Sequence, residues 1–125
     1  MQEDNVSFTA NNWPEDRWPN FAHRELACSE TGECEMDEAF MDRLQLLRNH
    51  YGHALRITSG YRSPAHSIEA AKSSGPGTHA KGRAVDIACA GVNAYDILAE
   101  ALVCGFTGIG VSRRASIDTC TWIIF

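Results

Sequence analysis

Residues 77–87, GTHAKGRAVDI, join a glycine-containing loop directly to an apolar segment. Val85 and Ile87 alternate with smaller or polar neighbours, and this period of two is typical of a strand that is buried on one face. Asp86 occupies the opposite face from Val85 and Ile87. The segment therefore predicts a loop that turns into a sheet strand, with a carboxylate on the strand's second face.

His79 and Asp86 are seven positions apart in this segment. A neutral imidazole and a carboxylate both bind zinc, at roughly 2.0–2.2 Å, so a shared ion would bring the two side chains together. Seven extended residues span about 23 Å, so the chain must then fold back, and Gly82 permits such a reversal because glycine tolerates positive φ. Alternatively, His79 is an ordinary loop residue and Asp86 caps a neighbouring turn.

The rest of the chain mixes helical and strand patterns. Phe40, Leu44 and Leu47 recur at helical spacing, and they predict a helix from Asp37 to about Tyr51. The other predicted elements are helices at 21–28, 64–71 and 94–103, the last capped by Asn93, a loop at 73–81, and strands at 54–58, 84–88, 108–111 and 121–125. Without a strict βαβ alternation, the expected fold is α+β, with helices packed on one face of a small, largely antiparallel sheet.

The first twenty residues contain two Trp-Pro pairs, at Trp13 and Trp18, which disfavour a regular helix. We expect one domain, residues 1–125, in which residues 1 to about 20 form an irregular arm whose tryptophans pack on the core. Neither a signal peptide nor a membrane span is recognisable, so the expectation is a soluble protein, cytoplasmic at synthesis.

The formal net charge of -5 argues against a nucleic-acid surface, because phosphate binding requires clustered Lys and Arg. The chain has five cysteines, an odd number, and reduced thiols are the simpler interpretation. Cys28 and Cys34 are close enough in sequence to form a local disulfide as the alternative.

Several segments resemble the M15 peptidases, the D-Ala-D-Ala carboxypeptidase and L-Ala-D-Glu endopeptidase group, whose metal site is shared with the hedgehog signalling domain. Thr78 to Asp86 resembles the family's zinc-binding S-x-H-x-x-G-x-A-x-D signature. ITSGYRSPAH, residues 57–66, and GFTGIGV, residues 105–111, resemble the segment before the zinc loop and the strand after the last helix. The resemblance covers about residues 20 to 111 and is strongest to small phage and bacterial members.

This resemblance implies roles for individual residues. His79 and Asp86 would be two of the three zinc ligands, and Arg62 would hold the substrate's carboxylate or carbonyl beside the metal. A guanidinium suits that task because its planar donors fit an oxyanion and keep their charge. His66 is a further candidate for lining the cleft.

The C-terminal segment departs from the family pattern, which carries its third zinc-binding histidine there. Ser116 falls at that position, and no histidine follows His79. Three explanations are open: Asp118 or Cys120 supplies the ligand, a partner chain supplies it, or the site is degenerate. Asp118 is also the candidate general base.

The resemblance thus implies a Zn²⁺-dependent hydrolysis of a peptide bond in peptidoglycan stem peptides, by a cell-wall carboxypeptidase or endopeptidase of the phage-lysin kind. One alternative is a catalytically degenerate module that binds peptidoglycan or has a structural role. A zinc-stabilised regulatory domain of the hedgehog kind is another.

Overall fold

A computed structural model describes residues 7–67, 77–89, 92–113 and 120–125. In it, the segment 77–87 leads into the second strand of a four-stranded sheet. The helices are α1 (His23–Leu26), α2 (Glu38–Tyr51) and α3 (Val92–Val103), and the strands are β1 (Arg56–Ser59), β2 (Val85–Cys89), β3 (Ile109–Arg113) and β4 (Cys120–Ile124). The strand order is β1-β2-β4-β3, and each neighbouring pair is antiparallel. The predicted α+β fold is confirmed.

The alternation predicted for β2 is present. Val85 and Ile87 are completely buried, whereas Asp86 and Ala88 are partly exposed. The two buried residues belong to one hydrophobic core with apolar side chains of α2 and α3, which pack on each other. One face of β2 therefore packs into the core, and Asp86 lies on the other face.

Helix α2 begins and ends as its sequence predicts. The Asp37 side chain caps it by accepting a hydrogen bond of 2.9 Å from the backbone N–H of Phe40. Gly52, at φ 80°, ends the helix in the left-handed conformation that favours glycine.

Several element boundaries differ from the sequence prediction. Strand β1 begins at Arg56 rather than at residue 54. Asn93 lies inside α3 instead of capping it. The predicted loop at 73–81 contains a 3₁₀ turn, Thr78–Lys81, within its described part. Of the helix predicted at 64–71, residues 64 and 65 form a turn, residue 66 forms a bend and residue 67 is helical, whereas residues 68–71 lie outside the described ranges.

The tryptophans of the N-terminal arm are part of the core. Trp13 and Trp18 are buried and in contact, with ring centroids 5.1 Å apart. The indole N–H of Trp18 donates to Asp42 on α2, and that of Trp13 donates to the carbonyl of Phe21. The arm is thus fixed to α2 by both hydrophobic and polar contacts.

Cys28, Cys34 and Cys104 are buried free thiols, so the reduced state predicted for Cys28 and Cys34 is the one observed. Burial raises the pKa of Cys34 to about 11. At Cys28 burial acts in the same direction, but hydrogen bonds from Thr31 and from neighbouring backbone groups outweigh it and lower the pKa.

Among the described residues, no helix has the length and hydrophobicity that crossing a bilayer requires.

Candidate metal centre

The turn that precedes β2 depends on Gly82. This residue ends the 3₁₀ turn at φ 69°, in the left-handed region. A Cβ built there would lie 2.2 Å from the carbonyl oxygen of Glu35, and the Gly82 carbonyl accepts a hydrogen bond of 2.9 Å from the backbone N–H of Asp37. Both conformation and space therefore require glycine, and the reversal predicted for Gly82 is present.

This reversal brings His79 and Asp86 together. The Nε2 atom of His79 lies 3.1 Å from Oδ1 of Asp86, and the two side chains are 7 % and 15 % exposed. The Nδ1 atom of His79 lies 2.8 Å from the carbonyl oxygen of Gly60. Because a carbonyl only accepts, Nδ1 carries a proton, and in the neutral tautomer with this proton Nε2 presents its lone pair toward the carboxylate.

Arg62 holds both residues in place. Its Nη2 donates to Oδ2 of Asp86 at 3.2 Å, and its backbone N–H donates to the carbonyl of His79 at 3.1 Å. The Arg62 side chain is 16 % exposed, so this ion pair is largely shielded from water. The contact fixes Asp86 with Oδ2 on Arg62 and Oδ1 toward His79.

The Oδ1 atom of Asp86 is buried and has no hydrogen-bond partner among the described residues, although Nε2 of His79 is only 3.1 Å away. A buried carboxylate oxygen normally has such a partner. Two ligands of a tetrahedral zinc ion are separated by about 3.3 Å, since each lies roughly 2.0–2.2 Å from the metal. Two acceptor atoms that face each other at this distance fit a shared cation.

The hydrogen bond from His79 to Gly60 strengthens this fit. Histidine ligands of metals commonly donate their second N–H to a backbone carbonyl, which fixes the tautomer and the ring orientation. Gly60 has no room for a side chain, because a Cβ there would lie 2.7 Å from the Cα of Leu26. The sequence predicts no role in the site for Gly60, whose only local signal is the Ser59-Gly60 pair at the end of β1.

Residues 19–118, most of the chain, match the family model described as Peptidase M15. The chain belongs to the M15 peptidase family. No match was found among curated proteins or among solved structures. M15 peptidases are metallopeptidases, generally zinc-dependent, and this agrees with the pairing of His79 and Asp86.

A third M15 metal ligand is not visible in the described part of the chain, which contains no group of three or more His, Cys, Asp or Glu side chains placed to hold a metal. Asp118 lies outside the described residues. The backbone of Cys120 pairs with that of Cys89, whereas Asp86 pairs with Ile123. By strand alternation, position 120 belongs to the sheet face opposite that of Asp86, so the register does not support the ligand prediction for Cys120, which stays a prediction.

His66 lies in a separate cluster of this M15 domain. It is buried, and its Nε2 approaches Glu30 at 3.2 Å and Ser29 at 3.4 Å. Its predicted position in the cleft stays a prediction.

A cavity of about 550 Å³ lies between α1 and β1. Arg24, Cys28, Ser59 and Gly60 are among the residues that line it, whereas His79 and Asp86 are not. Since Gly60 also accepts the hydrogen bond from His79, the cavity adjoins the candidate metal centre of this M15 domain.

Proposed function

We propose that this M15 peptidase hydrolyses a peptide bond in peptidoglycan stem peptides with Zn²⁺ held by His79 and Asp86. The observation that carries the proposal is the buried Oδ1 of Asp86, which has no hydrogen-bond partner in the described structure and faces Nε2 of His79 at 3.1 Å. Because zinc binds both imidazole nitrogen and carboxylate oxygen, this pair would supply two of the three protein ligands that a catalytic site uses.

Zinc bound here would polarise the scissile carbonyl and lower the pKa of a water molecule toward 7. The residues of the chain prepare the site for this chemistry. The carbonyl of Gly60 holds the proton of His79 on Nδ1, and Arg62 holds Oδ2 of Asp86, so Nε2 and Oδ1 remain oriented toward the ion. We also assign to Arg62 the binding of a substrate carboxylate or carbonyl, because a guanidinium donates several hydrogen bonds from one plane.

Asp118 is the third ligand in this proposal. It lies on the segment between β3 and β4, in the region where the family carries its third histidine, and a carboxylate is a suitable zinc ligand. As a ligand Asp118 no longer serves as the general base, so the two roles predicted for it are alternatives. Cys120 is the less favoured ligand because its pairing with Cys89 places position 120 on the sheet face opposite that of Asp86.

The substrate proposed is a stem peptide of peptidoglycan, cleaved either at D-Ala-D-Ala or at L-Ala-D-Glu. Action at the wall requires release from the cell, as for a phage lysin, and this is part of the proposal. The replacement of the family's third histidine by Ser116 favours one second candidate, a degenerate module that binds peptidoglycan without cleaving it.

Incubation of the zinc-loaded protein with purified muropeptides, followed by mass spectrometry of the products, tests the proposal. Cleavage by the wild type and its loss in Asp86→Asn support the hydrolase. The matched control is Asp42→Asn, which alters a carboxylate on α2 outside the site. Sedimentation with intact cell walls, without release of any peptide by either protein, would instead favour the binding module.

A further inference from the structure

The last residue of β2 and the first residue of β4 are both cysteines. Cys89 and Cys120 are directly opposite each other in the antiparallel pairing, which continues without a shift to Val85 and Ile124. Cys89 is partly exposed, whereas Cys28, Cys34 and Cys104 are buried. The chain therefore places two cysteines at one register position, at the sheet end farthest from the pair formed by Val85 and Ile124.

The backbone geometry at such a position is compatible with a disulfide. Opposed residues of antiparallel strands have Cα atoms about 4.5 or 5.5 Å apart, depending on whether the pair is hydrogen-bonded. Disulfides span Cα separations of about 4.4–6.8 Å, so both kinds of pair lie in this range. We propose that Cys89 and Cys120 are an oxidation site. A small-molecule disulfide such as oxidised glutathione would oxidise the two thiols to a disulfide bond that joins β2 to β4.

The reaction is a thiol–disulfide exchange in two steps. The thiolate of one cysteine attacks a sulfur of oxidised glutathione, which forms a mixed disulfide and releases one reduced glutathione. The thiolate of the second cysteine then attacks the protein sulfur of the mixed disulfide and releases the second glutathione. The protein loses two electrons and two protons, and one oxidised glutathione becomes two reduced molecules.

The cross-link would have a structural consequence for the sheet. It would join the strand that carries Asp86 to the residue that follows the segment containing Asp118, and it would enclose α3 and β3 in one covalent loop. Closing a loop of this length restricts the unfolded chain, so we expect the melting temperature to rise by on the order of 5–10 °C. This inference does not depend on catalytic activity.

The test is oxidation of the native, full-length protein with oxidised glutathione, then alkylation of remaining thiols and peptide mapping by mass spectrometry. A cross-linked peptide pair containing Cys89 and Cys120, and a reductant-reversible rise in melting temperature, are the expected results. Both should be absent in Cys89→Ser and retained in the control Cys104→Ser.

Alkylation of both cysteines after oxidation would overturn the proposal, as would their pairing with Cys28, Cys34 or Cys104 instead. A cross-link that lowers the melting temperature would overturn it too, since such a bond would not fit the native register. The wild-type peptide map decides the matter if a serine variant does not fold.

Discussion

The two halves of the candidate metal centre differ in how the chain positions them. The first half, residues 60–86, holds His79 and Asp86 through Gly60, Arg62 and Gly82, each by a specific backbone or side-chain contact. The described part of the second half is β4, which is held in the sheet by its pairing with β2 and β3. A local turn and its neighbours therefore position His79 and Asp86, whereas β4 depends on long-range strand pairing.

The largest effect is expected from Gly82→Ala, which disrupts the turn between His79 and Asp86. The new Cβ would meet the Glu35 carbonyl at 2.2 Å, and alanine would also be strained at φ 69°. We expect a loss of about 3–5 kcal/mol in the free energy of unfolding, measured by urea denaturation.

The matched control is Gly52→Ala, at φ 80° with no atom within 4 Å of its Cβ. Only backbone strain applies there, so the expected loss is about 1–2 kcal/mol. Equal losses at the two glycines would show that the close approach of Gly82 to the 35–37 backbone is not important.

A second pair of variants compares the two candidates in the C-terminal half. Asp118→Asn should weaken zinc binding by more than about 100-fold, because losing a ligand costs more than the roughly 10–100-fold loss typical of an outer partner. Cys120→Ser should leave zinc affinity unchanged, since position 120 pairs with Cys89 and belongs to the sheet face opposite that of Asp86.

Competition with a chromogenic chelator, under reducing conditions, measures both affinities. The reverse result, with zinc lost only in Cys120→Ser, would mean that the β2–β4 register differs from the one described.

Arg62→Gln tests whether the arginine orients Asp86. Removing the charge leaves the Oδ2 atom of Asp86 without its strongest donor, so zinc affinity should fall by about 10–100-fold. Arg62→Lys should lose less affinity than Arg62→Gln, because lysine keeps the positive charge but lacks the planar arrangement of donors of the guanidinium. If Arg62 contacts only substrate, both variants will bind zinc as the wild type does, and only cleavage will suffer.

The smallest effect is expected far from the metal centre, at the ion pair of Arg17 with Asp42. Hydrogen bonding from Arg17, and less strongly from the Trp18 indole, holds the pKa of Asp42 below its usual value, against the opposing effect of burial. A lowered folded-state pKa stabilises the protein above the unfolded pKa of about 3.9, and this contribution is lost as the pH falls through the folded value.

Arg17→Gln should therefore cost at most about 1 kcal/mol near pH 6, because both side chains are nearly half exposed, and nothing at a pH well below 4. Urea denaturation at the two pH values measures the difference. A cost that persists at low pH would indicate lost packing against Trp18 rather than lost charge. Zinc affinity should not change.

The same contrast between local and long-range structure explains what the sequence could predict. The helix at 37–51 follows from the spacing of Phe40, Leu44 and Leu47, and the turn at Gly82 follows from the properties of glycine. The approach of His79 to Asp86 was predicted from their shared chemistry as metal ligands, together with the resemblance to M15 peptidases.

Other features depend on tertiary contacts that no local pattern encodes. The hydrogen bond between His79 and Gly60 requires β1 to lie beside the 3₁₀ turn, nineteen residues away in sequence. The position of Cys120 opposite Cys89 depends on strand register, which spacing within β4 alone does not determine. The argument against Cys120 as a ligand therefore depends on the sheet register, whereas Asp118 stays a prediction.

His79 and Asp86 should bind one zinc ion. Elemental analysis of untagged protein, purified without added metal, measures this, with Asp86→Asn prepared in parallel. We expect close to one zinc per wild-type chain and almost none in the variant. Folded wild-type protein without zinc, or equal zinc in both proteins, would contradict it.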